Sequence, residues 1–396
     1  MKLYKGDEIM LMDGIKIIQS KNVWIDESFQ EAQLEIKGNK IIKIHPYGMI
    51  RPTADYGENY ILPGFIDIHD HGCLGGDANH ADFEFLSKWA NYLPQEGITR
   101  FLPTTSTAFF DALEESYRML GAFIDSKYDG AKILGMHLEG PMISEKYRGS
   151  HNPKLLLKPN VETFKKWQEM SNNHIKMITI APENDENYEM TKYCTEHGVV
   201  VAIGHSAATY QQAKEAVEAG AKSFVHTFNG MSGLHHREPG VVGAAMDIED
   251  AYAEVIADGV HVDFNAVRIL GKAKGKDHLI AVTDSIWAKG CEPGIYPKPD
   301  KGVNIVIDEH NVVRLETGSL AGSTNRLNVM VRNLIDEAKL PLEMAINAVT
   351  CNPAHLLGIG NQYGYIKEKY IADFTVVNKQ FDVLETIVDG IVVYSK

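Results

Sequence analysis

The sequence lacks several features that would assign it to common classes of protein. Its four cysteines lie far apart and form no CxxC pair, which argues against a structural zinc held by thiolates and against a disulfide framework. No apolar run is long enough to span a membrane. The N-terminal segment has no apolar core of the kind found in secretory signals, so we expect a cytoplasmic protein.

Positive charge is also scarce. The 396 residues include 39 Lys and Arg against 53 Asp and Glu, which gives a net charge of −14. Binding of nucleic acid usually requires a basic face, because the phosphate backbone is negatively charged. We therefore expect no nucleic-acid or membrane partner, although a few local donors could still bind a small anion.

Common nucleotide and hydrolase motifs are missing as well. The chain contains no GxGxxG fingerprint and no GxSxG elbow. The glycine-rich stretch GCLGGD after His71 lacks the Lys-Ser/Thr of a P-loop and opens no strong helical pattern. We interpret this stretch as a tight loop.

Eight apolar runs bounded by turn signals are present in the central part of the chain. They are GFIDIHDH, ITRFLPTTST, KILGMHLEG, IKMITIAPE, VVVAIGHS, AKSFVHTF, YAEVIADGVHV and LIAVTDS. Helical patterns fill most of the gaps, and Gly97, Gly198 and Gly220 stand where C-terminal caps are expected. Apolar strands that alternate with helices indicate a parallel sheet covered on both faces, and eight such units predict a (β/α)₈ barrel. A doubly wound open sheet is the alternative.

The two chain ends have a different character, with short strands and turns. Neither end is long enough for a core of its own, so we expect residues 1–55 and 350–396 to form one small β-sandwich domain. The barrel is then predicted to span residues 56–349. The segment VNIVIDEHNVVRL, after the eighth strand, is predicted to form a hairpin that turns at residues 308–311.

Polar side chains stand at the ends of five of the predicted strands. They are His69 and His71, His137 and Glu139, His205, His226, and Asp284. Alternation along a strand places His69 and His71 on one face and Asp70 on the other. The carboxyl ends of barrel strands meet at one mouth, so these side chains are predicted to converge there. An open sheet would not bring five strand ends to one point.

With His137 set aside, four histidines and two carboxylates at one mouth form a nitrogen and oxygen donor set that suits zinc, iron or manganese. A divalent ion there can lower the pKa of bound water to about 7 and polarise a carbonyl oxygen. Asp284 suits a proton shuttle. We interpret His137 as a structural residue because Glu139 is the better ligand, and His235 and His236 as solvated residues of a polar loop. Taken singly, each histidine could instead be a hydrogen-bonded strand-end residue.

A set of motifs then carries a resemblance to a known family. The matching stretches are LPGFIDIHDHG, GMHLEGPMI with GSHNP, IGHSAATY, HTFNGM with REPG, DGVHV, VTDS, LAGST and NPAHLLGI. In this order they resemble the N-acetylglucosamine-6-phosphate deacetylases of the amidohydrolase superfamily. The combination of HLEGP and HNP is more specific than the histidine pair, which many amidohydrolases share. The resemblance covers nearly the whole chain.

The resemblance implies a metal-dependent enzyme that removes acetate from N-acetylglucosamine 6-phosphate. It implies that Glu139, His205 and His226 hold the catalytic metal. His69 and His71 would hold a second ion with Glu139 as the bridge. One or two ions per chain, zinc or iron, are therefore expected. Asp284 matches the general acid and base of the family.

The resemblance also implies a set of substrate contacts and an oligomeric state. His151 and His261 match the sugar-binding histidines of the family. Asn229, the backbone amide of Gly230 and the guanidinium of Arg237 match its phosphate site, and such donors suit a phosphate. Family members commonly form homodimers, so a homodimer is expected.

Three departures from the family pattern leave the substrate open. Ile286 and Trp287 follow TDS where small residues are usual, Gly230 replaces a common alanine, and Asn325 and Arg326 replace apolar residues. A different acetamido sugar phosphate, such as the galactosamine epimer, or a different amide could therefore be the substrate. Two more distant hypotheses are a deaminase of the same superfamily and a non-catalytic sensor of sugar phosphates.

Overall fold

The central body is a barrel of eight parallel strands. The computed structural model describes residues 14–298 and 303–396. The barrel strands, numbered one to eight in chain order, are Phe65–Asp70, Ile98–Thr105, Met136–Glu139, Ile175–Ile180, Val200–Ile203, Ser223–Phe224, Tyr252–Val255 and Leu279–Ala281. Each strand pairs in parallel with the next. A parallel bridge between Asp70 and Ser285 joins the first and last strands of the sheet and so closes the barrel. The predicted (β/α)₈ barrel is confirmed, and the open sheet is wrong.

Helices surround the barrel, as the predicted alternation requires. They are Phe83–Tyr92, Phe110–Ile124, Val161–Met170, Glu189–Glu196, Tyr210–Glu218, Gly240–Asp247, Phe264–His278, Leu327–Asp336, Leu342–Asn347 and Cys351–Leu356. Gly97 and Gly198 adopt φ of +83° and +71° after their helices. Residues with a side chain rarely adopt such values, so glycine suits both positions. No helix in the described parts of the chain has the length and apolar character needed to cross a membrane.

Both chain ends contribute to one separate sheet, as expected. Its strands are Ile15–Ile25, Ser28–Lys37, Lys40–Pro46, Ala54–Asp55, Tyr60–Pro63, Phe374–Val377, Val383–Val388 and Ile391–Ser395. Tyr60–Pro63 links the two ends, because it pairs with Ile15–Ile25 on one side and with Phe374–Val377 on the other. Residues 1–13 of the predicted terminal domain lie outside the described residues. The division at residues 55 and 350 stays a prediction.

The hairpin after the eighth strand is confirmed. Val303–Ile307 pairs antiparallel with Val313–Leu315, and Gly294–Lys298 adds a third strand that the sequence pattern did not predict. Trp287 packs in the small apolar cluster beneath this sheet, with its ring centroid 5.2 Å from that of Tyr296. The three strands thereby form a cover beside the barrel mouth.

Candidate active site at the barrel mouth

The mouth of the barrel encloses a cavity of about 210 Å³. Five polar side chains from strand ends form what we call the strand-end wall: His71, Glu139, His205, His226 and Asp284. Residues near the three-stranded cover form the hairpin wall: Ile286, Trp287, Ile305, Leu320 and Ala321. His69 lies below the cavity and is fully buried. The predicted convergence of strand ends is present in the structure.

Glu139 is the centre of this arrangement. Its Oε1 atom lies 2.7 Å from His226 Nε2, 3.1 Å from His205 Nε2 and 3.4 Å from His69 Nε2. Its Oε2 atom lies 3.2 Å from His71 Nε2. Burial by itself would raise the pKa of this carboxyl, but the neighbouring charges on His69 and His205 hold the pKa well below its usual range. Four imidazoles therefore converge on one carboxylate.

Asp284 stands beside the same histidines at the end of strand eight. Its Oδ1 atom lies 3.3 Å from His71 Nε2 and 3.8 Å from His69 Nε2. Burial alone would raise the pKa of Asp284, but the hydrogen bond from His71 and the charges on both histidines lower it well below its usual range. Burial alone would lower the pKa of His71, but hydrogen bonds to Asp284 and Glu139 raise it to about 9. The pKa values of His71 and Asp284 are thus shifted in the directions expected for an ion pair.

Two of the histidines are oriented by backbone carbonyls. His205 Nδ1 donates to the carbonyl of Tyr147 at 2.8 Å, and His226 Nδ1 donates to the carbonyl of Asn229 at 3.2 Å. A proton held on Nδ1 directs the other ring nitrogen, Nε2, toward Glu139. Metal-binding histidines in proteins are usually oriented in this way.

The backbone is strained at three of the predicted site residues. His205, His226 and Asp284 adopt φ values of +45°, +24° and +45°. Such conformations cost a non-glycine residue roughly 1–3 kcal/mol each, and they persist where surrounding structure holds them for a function. His205 and His226 lie two residues, and Asp284 three residues, after the last residue of a barrel strand, and all three line the cavity. No pattern in the sequence indicated this feature.

The donor groups satisfy the requirements of a divalent metal ion. Their ligand atoms form three sets within 4.8 Å: His69, His71 and Asp284; His69, Glu139 and His226; and Glu139, His151 and His205. His69 Nε2 is buried and has no hydrogen-bond partner among the residues that the structure describes, as expected for a nitrogen that binds an ion. Nitrogen and carboxylate donors of this kind suit zinc and iron. The residues present therefore fit such an ion.

His137 differs from the other strand-end histidines because its two ring nitrogens already have partners. Nε2 lies 2.8 Å from Thr179 Oγ1, and Nδ1 donates to the carbonyl of Ile68 at 3.2 Å. Burial and the charge of nearby His69 lower its pKa well below the usual value. These contacts support its interpretation as a structural residue.

Four of the five predicted substrate residues line the cavity. They are His151, Asn229, Gly230 and His261. Gly230 has a φ of +62°, and a Cβ there would lie 2.8 Å from His205 Nδ1, so the alanine common in the family would crowd that ring. Arg237 is exposed, outside the lining residues, with Nη1 2.8 Å from His236 Nε2. The structure therefore does not bring Arg237 to the cavity of its own chain.

The segments that depart from the family pattern lie in different parts of the structure. Trp287 lines the cavity, whereas exposed Arg326 immediately precedes the helix Leu327–Asp336 and does not line the cavity. Asn325 donates through Nδ2 to Asp258 Oδ2 at 3.1 Å, and the same oxygen lies 2.7 Å from His261 Nδ1. Asn325 thereby supports a predicted substrate residue without lining the cavity.

Sequence reasoning missed some of the lining. Asn79 and Ser106 both line the cavity, and Asn79 Oδ1 accepts a hydrogen bond from the Ser106 amide at 2.8 Å. Asn79 lies in a short 3₁₀ helix, Ala78–His80, after strand one, and Ser106 directly follows strand two. A search of the residues after each strand, rather than of histidines and carboxylates alone, would have found them.

Comparison with known proteins places this geometry in a family. The chain matches the Amidohydrolase family over residues 60–393. An N-acetylglucosamine-6-phosphate deacetylase from Lysinibacillus sphaericus is 35% identical over 370 residues, which cover 92% of this chain and 95% of that protein. An N-acetylgalactosamine-6-phosphate deacetylase from Escherichia coli O157:H7 is 31% identical over 367 residues, covering 93% and 95%.

A solved structure agrees with the sequence relatives. The crystal structure of an N-acetylglucosamine-6-phosphate deacetylase from Pasteurella multocida aligns with a TM-score of 0.88 at 28% identity, covering 96% of this chain and all of that one. The amidohydrolase family is metal-dependent, in agreement with the donor sets at the mouth. The resemblance drawn from the motifs is confirmed. The chain belongs to the amidohydrolase family, in which it resembles N-acetylglucosamine-6-phosphate deacetylases over nearly its whole length.

Proposed function

We propose that this chain hydrolyses N-acetyl-D-glucosamine 6-phosphate to D-glucosamine 6-phosphate and acetate. The observation that carries the proposal is the convergence of four imidazole Nε2 atoms on Glu139 beside Asp284. Several relatives that match most of the chain are named as deacetylases of this sugar phosphate. The reaction breaks the amide C–N bond, adds the oxygen of water to the acetyl carbon and leaves a free amine.

Glu139, His205 and His226 are the proposed ligands of the catalytic ion. His69 and His71, together with Glu139, would hold a second ion. Zinc or iron, with one or two ions per chain, suits these donors. A bound divalent ion supplies Lewis-acid chemistry, which lowers the pKa of water and polarises the carbonyl of the acetamide.

Asp284 is the proposed proton carrier. Its Oδ1 atom borders the cavity and accepts the proton that water loses as its oxygen joins the acetyl carbon. The same carboxyl then delivers this proton to the nitrogen as the C–N bond breaks. One residue therefore serves as base and then as acid, and the second proton of the water passes from the acetic acid to the amine, which gives acetate and an ammonium group.

His151 is the proposed donor to the oxygen on which negative charge develops. The amide N–H of Thr107 lies 3.3 Å from His151 Nδ1, so a neutral imidazole that accepts this bond carries its proton on Nε2. Nε2 lies 3.6 Å from Glu139 Oε2, beside the proposed ligands. A donor at this position stabilises a developing oxyanion.

The remaining assignments concern the sugar phosphate and the assembly. His261 is the proposed sugar contact, and Asn229 with the Gly230 amide is the proposed phosphate site. Arg237 is the proposed third phosphate donor. Because Arg237 does not line its own cavity, we assign it to the cavity of a partner in a homodimer. A cytoplasmic location and the division into a barrel domain and a terminal domain remain predictions.

The test is acetate release from a panel of acetamido sugars. The proposal predicts the highest kcat/KM for N-acetylglucosamine 6-phosphate and much less for the sugar without phosphate. A preference for N-acetylgalactosamine 6-phosphate would favour the alternative substrate. The relative from Escherichia coli and the unusual Trp287 both suggest this alternative. Ammonia as the product would indicate a deaminase. A protein that binds the sugar phosphate but contains no bound metal and releases no acetate would be a sensor.

A further inference from the structure

Glu254 is a buried carboxylate of barrel strand seven that lies outside the motifs of the family resemblance. Its side chain has no exposed surface. Its Oε2 atom lies 3.0 Å from His69 Nδ1 and 3.3 Å from the backbone nitrogen of His226. We propose that Glu254 is a positioning residue that makes His69 a ligand of the second metal ion. The inference rests on the proposed metal site.

The geometry at His69 gives the first reason. A carboxylate can only accept from the ring, so His69 Nδ1 carries the proton and donates it to Glu254. This fixes the ring with Nε2 toward Glu139 Oε1, 3.4 Å away, and toward Asp284 Oδ1, 3.8 Å away. Nε2 is then the ring nitrogen available to an ion, and within the described parts of the chain it makes no hydrogen bond. A carboxylate behind a metal-binding histidine fixes the ring and raises its basicity.

The second reason is that the same oxygen contacts one proposed ligand residue of each metal ion. Glu254 Oε2 also accepts the backbone N–H of His226, whose φ of +24° is strained. From strand seven, Glu254 thus contacts a ligand on strand one and the backbone of a ligand on strand six. It thereby links proposed ligands of the two ions without lining the cavity itself.

The third reason is the energetic cost of this carboxylate. Its Oε1 atom is buried and accepts no hydrogen bond from any described residue. A buried charge with an unsatisfied oxygen is expensive and is poorly suited to a purely structural role. A contact to His69 that matters for metal binding explains why such a residue occupies the barrel interior.

The experiment measures zinc binding to the full chain. Wild type, Glu254→Gln, Glu254→Asp and Ser223→Ala are equilibrated with buffered free Zn²⁺, and bound zinc per chain is measured by atomic emission. Ser223 is the matched control because its hydroxyl is also buried without a partner, on strand six. Gln keeps an acceptor oxygen but loses the charge, whereas Asp keeps the charge but withdraws it by one methylene group.

We expect two ions per chain in wild type and in Ser223→Ala. In Glu254→Gln and Glu254→Asp we expect the affinity for one of the two ions to fall by about 10- to 100-fold, with the other ion retained. If every variant bound both ions with the affinities of wild type, the inference would be overturned. A single ion in wild type would also overturn it and leave the proposed function standing, whereas wild type without any bound ion would contradict the proposed function itself.

A measurement on wild type alone covers the case in which the variants do not fold. In zinc-loaded protein labelled with ¹⁵N-histidine, we expect His69 to bind zinc through Nε2 and to hold a slowly exchanging proton on Nδ1. Zinc bound to His69 Nδ1, or an unprotonated Nδ1, would overturn the inference.

Discussion

The two walls of the cavity differ in how they are built and in what they do. Each residue of the strand-end wall stands at or just after the end of a barrel strand, so sheet register fixes its position. The hairpin wall comes from the segment after strand eight and is held by packing of Trp287 and Ile305 in a small separate cluster. The first wall carries the proposed chemistry, and the second lines the cavity with apolar side chains. We therefore expect the first wall to determine the reaction type and the second to determine the substrate preference.

The largest expected effect is the loss of the proton carrier on the strand-end wall. In Asp284→Asn, the side chain keeps its size but can no longer take up a proton, so we expect kcat for acetate release to fall by about 10²- to 10⁴-fold. Bound metal per chain and binding of the sugar phosphate should persist. Steady-state kinetics with metal analysis check this, and near-normal turnover would contradict the assigned role of Asp284.

A smaller effect is expected on the hairpin wall. Trp287→Ala removes part of the apolar lining, so we expect KM to rise about tenfold, equivalent to about 1.4 kcal/mol of binding, with little change in kcat. Arg326→Ala is the matched control, because Arg326 is equally unusual but lies outside the lining. Equal kinetics in the two variants would show that the hairpin wall does not contact the substrate.

The smallest expected effect is the pH dependence of stability in metal-free protein. The pKa of His71 is raised to about 9, above the roughly 6.5 of an unfolded chain. Its ion pairs therefore contribute stability that is fully present below about pH 6.5 and is lost as the pH rises through about 9.

The measurement is the difference in melting temperature between metal-free wild type and His71→Asn. We expect this difference to shrink between about pH 6 and about pH 10. His310→Asn, at an exposed histidine, is the control for general effects of pH. A difference that stays constant over this range would contradict the assignment of the ion pairs to His71.

Sequence predicted the strand-end wall because its signal is local. A histidine or carboxylate at the end of an apolar run can be read directly, and barrel closure then dictates that such ends meet, as His71, Glu139 and Asp284 do. The positive φ at His205 and His226 depends on surrounding structure, so no local pattern encodes it. The same limit applies to Glu254, which reads as an ordinary strand residue until His69 is placed against it.

The hairpin wall was less predictable because its contacts join distant segments. The hairpin turn was readable, but the third strand Gly294–Lys298 and the contact of Trp287 with Tyr296 were not. Arg326 illustrates the converse: its segment was expected to border the substrate, yet its exposed side chain lies outside the cavity lining. Loop residues gain their positions from packing that a single sequence does not display.

We propose that the imidazoles around Glu139 hold a metal ion required to hydrolyse the acetamide of a sugar phosphate. Metal content and acetate release should be measured on the same purified protein before chelation, after chelation and after addition of Zn²⁺ or Fe²⁺. We predict one or two ions per chain, loss of acetate release on chelation, and recovery with the returned metal. Full acetate release from metal-free protein would contradict the account.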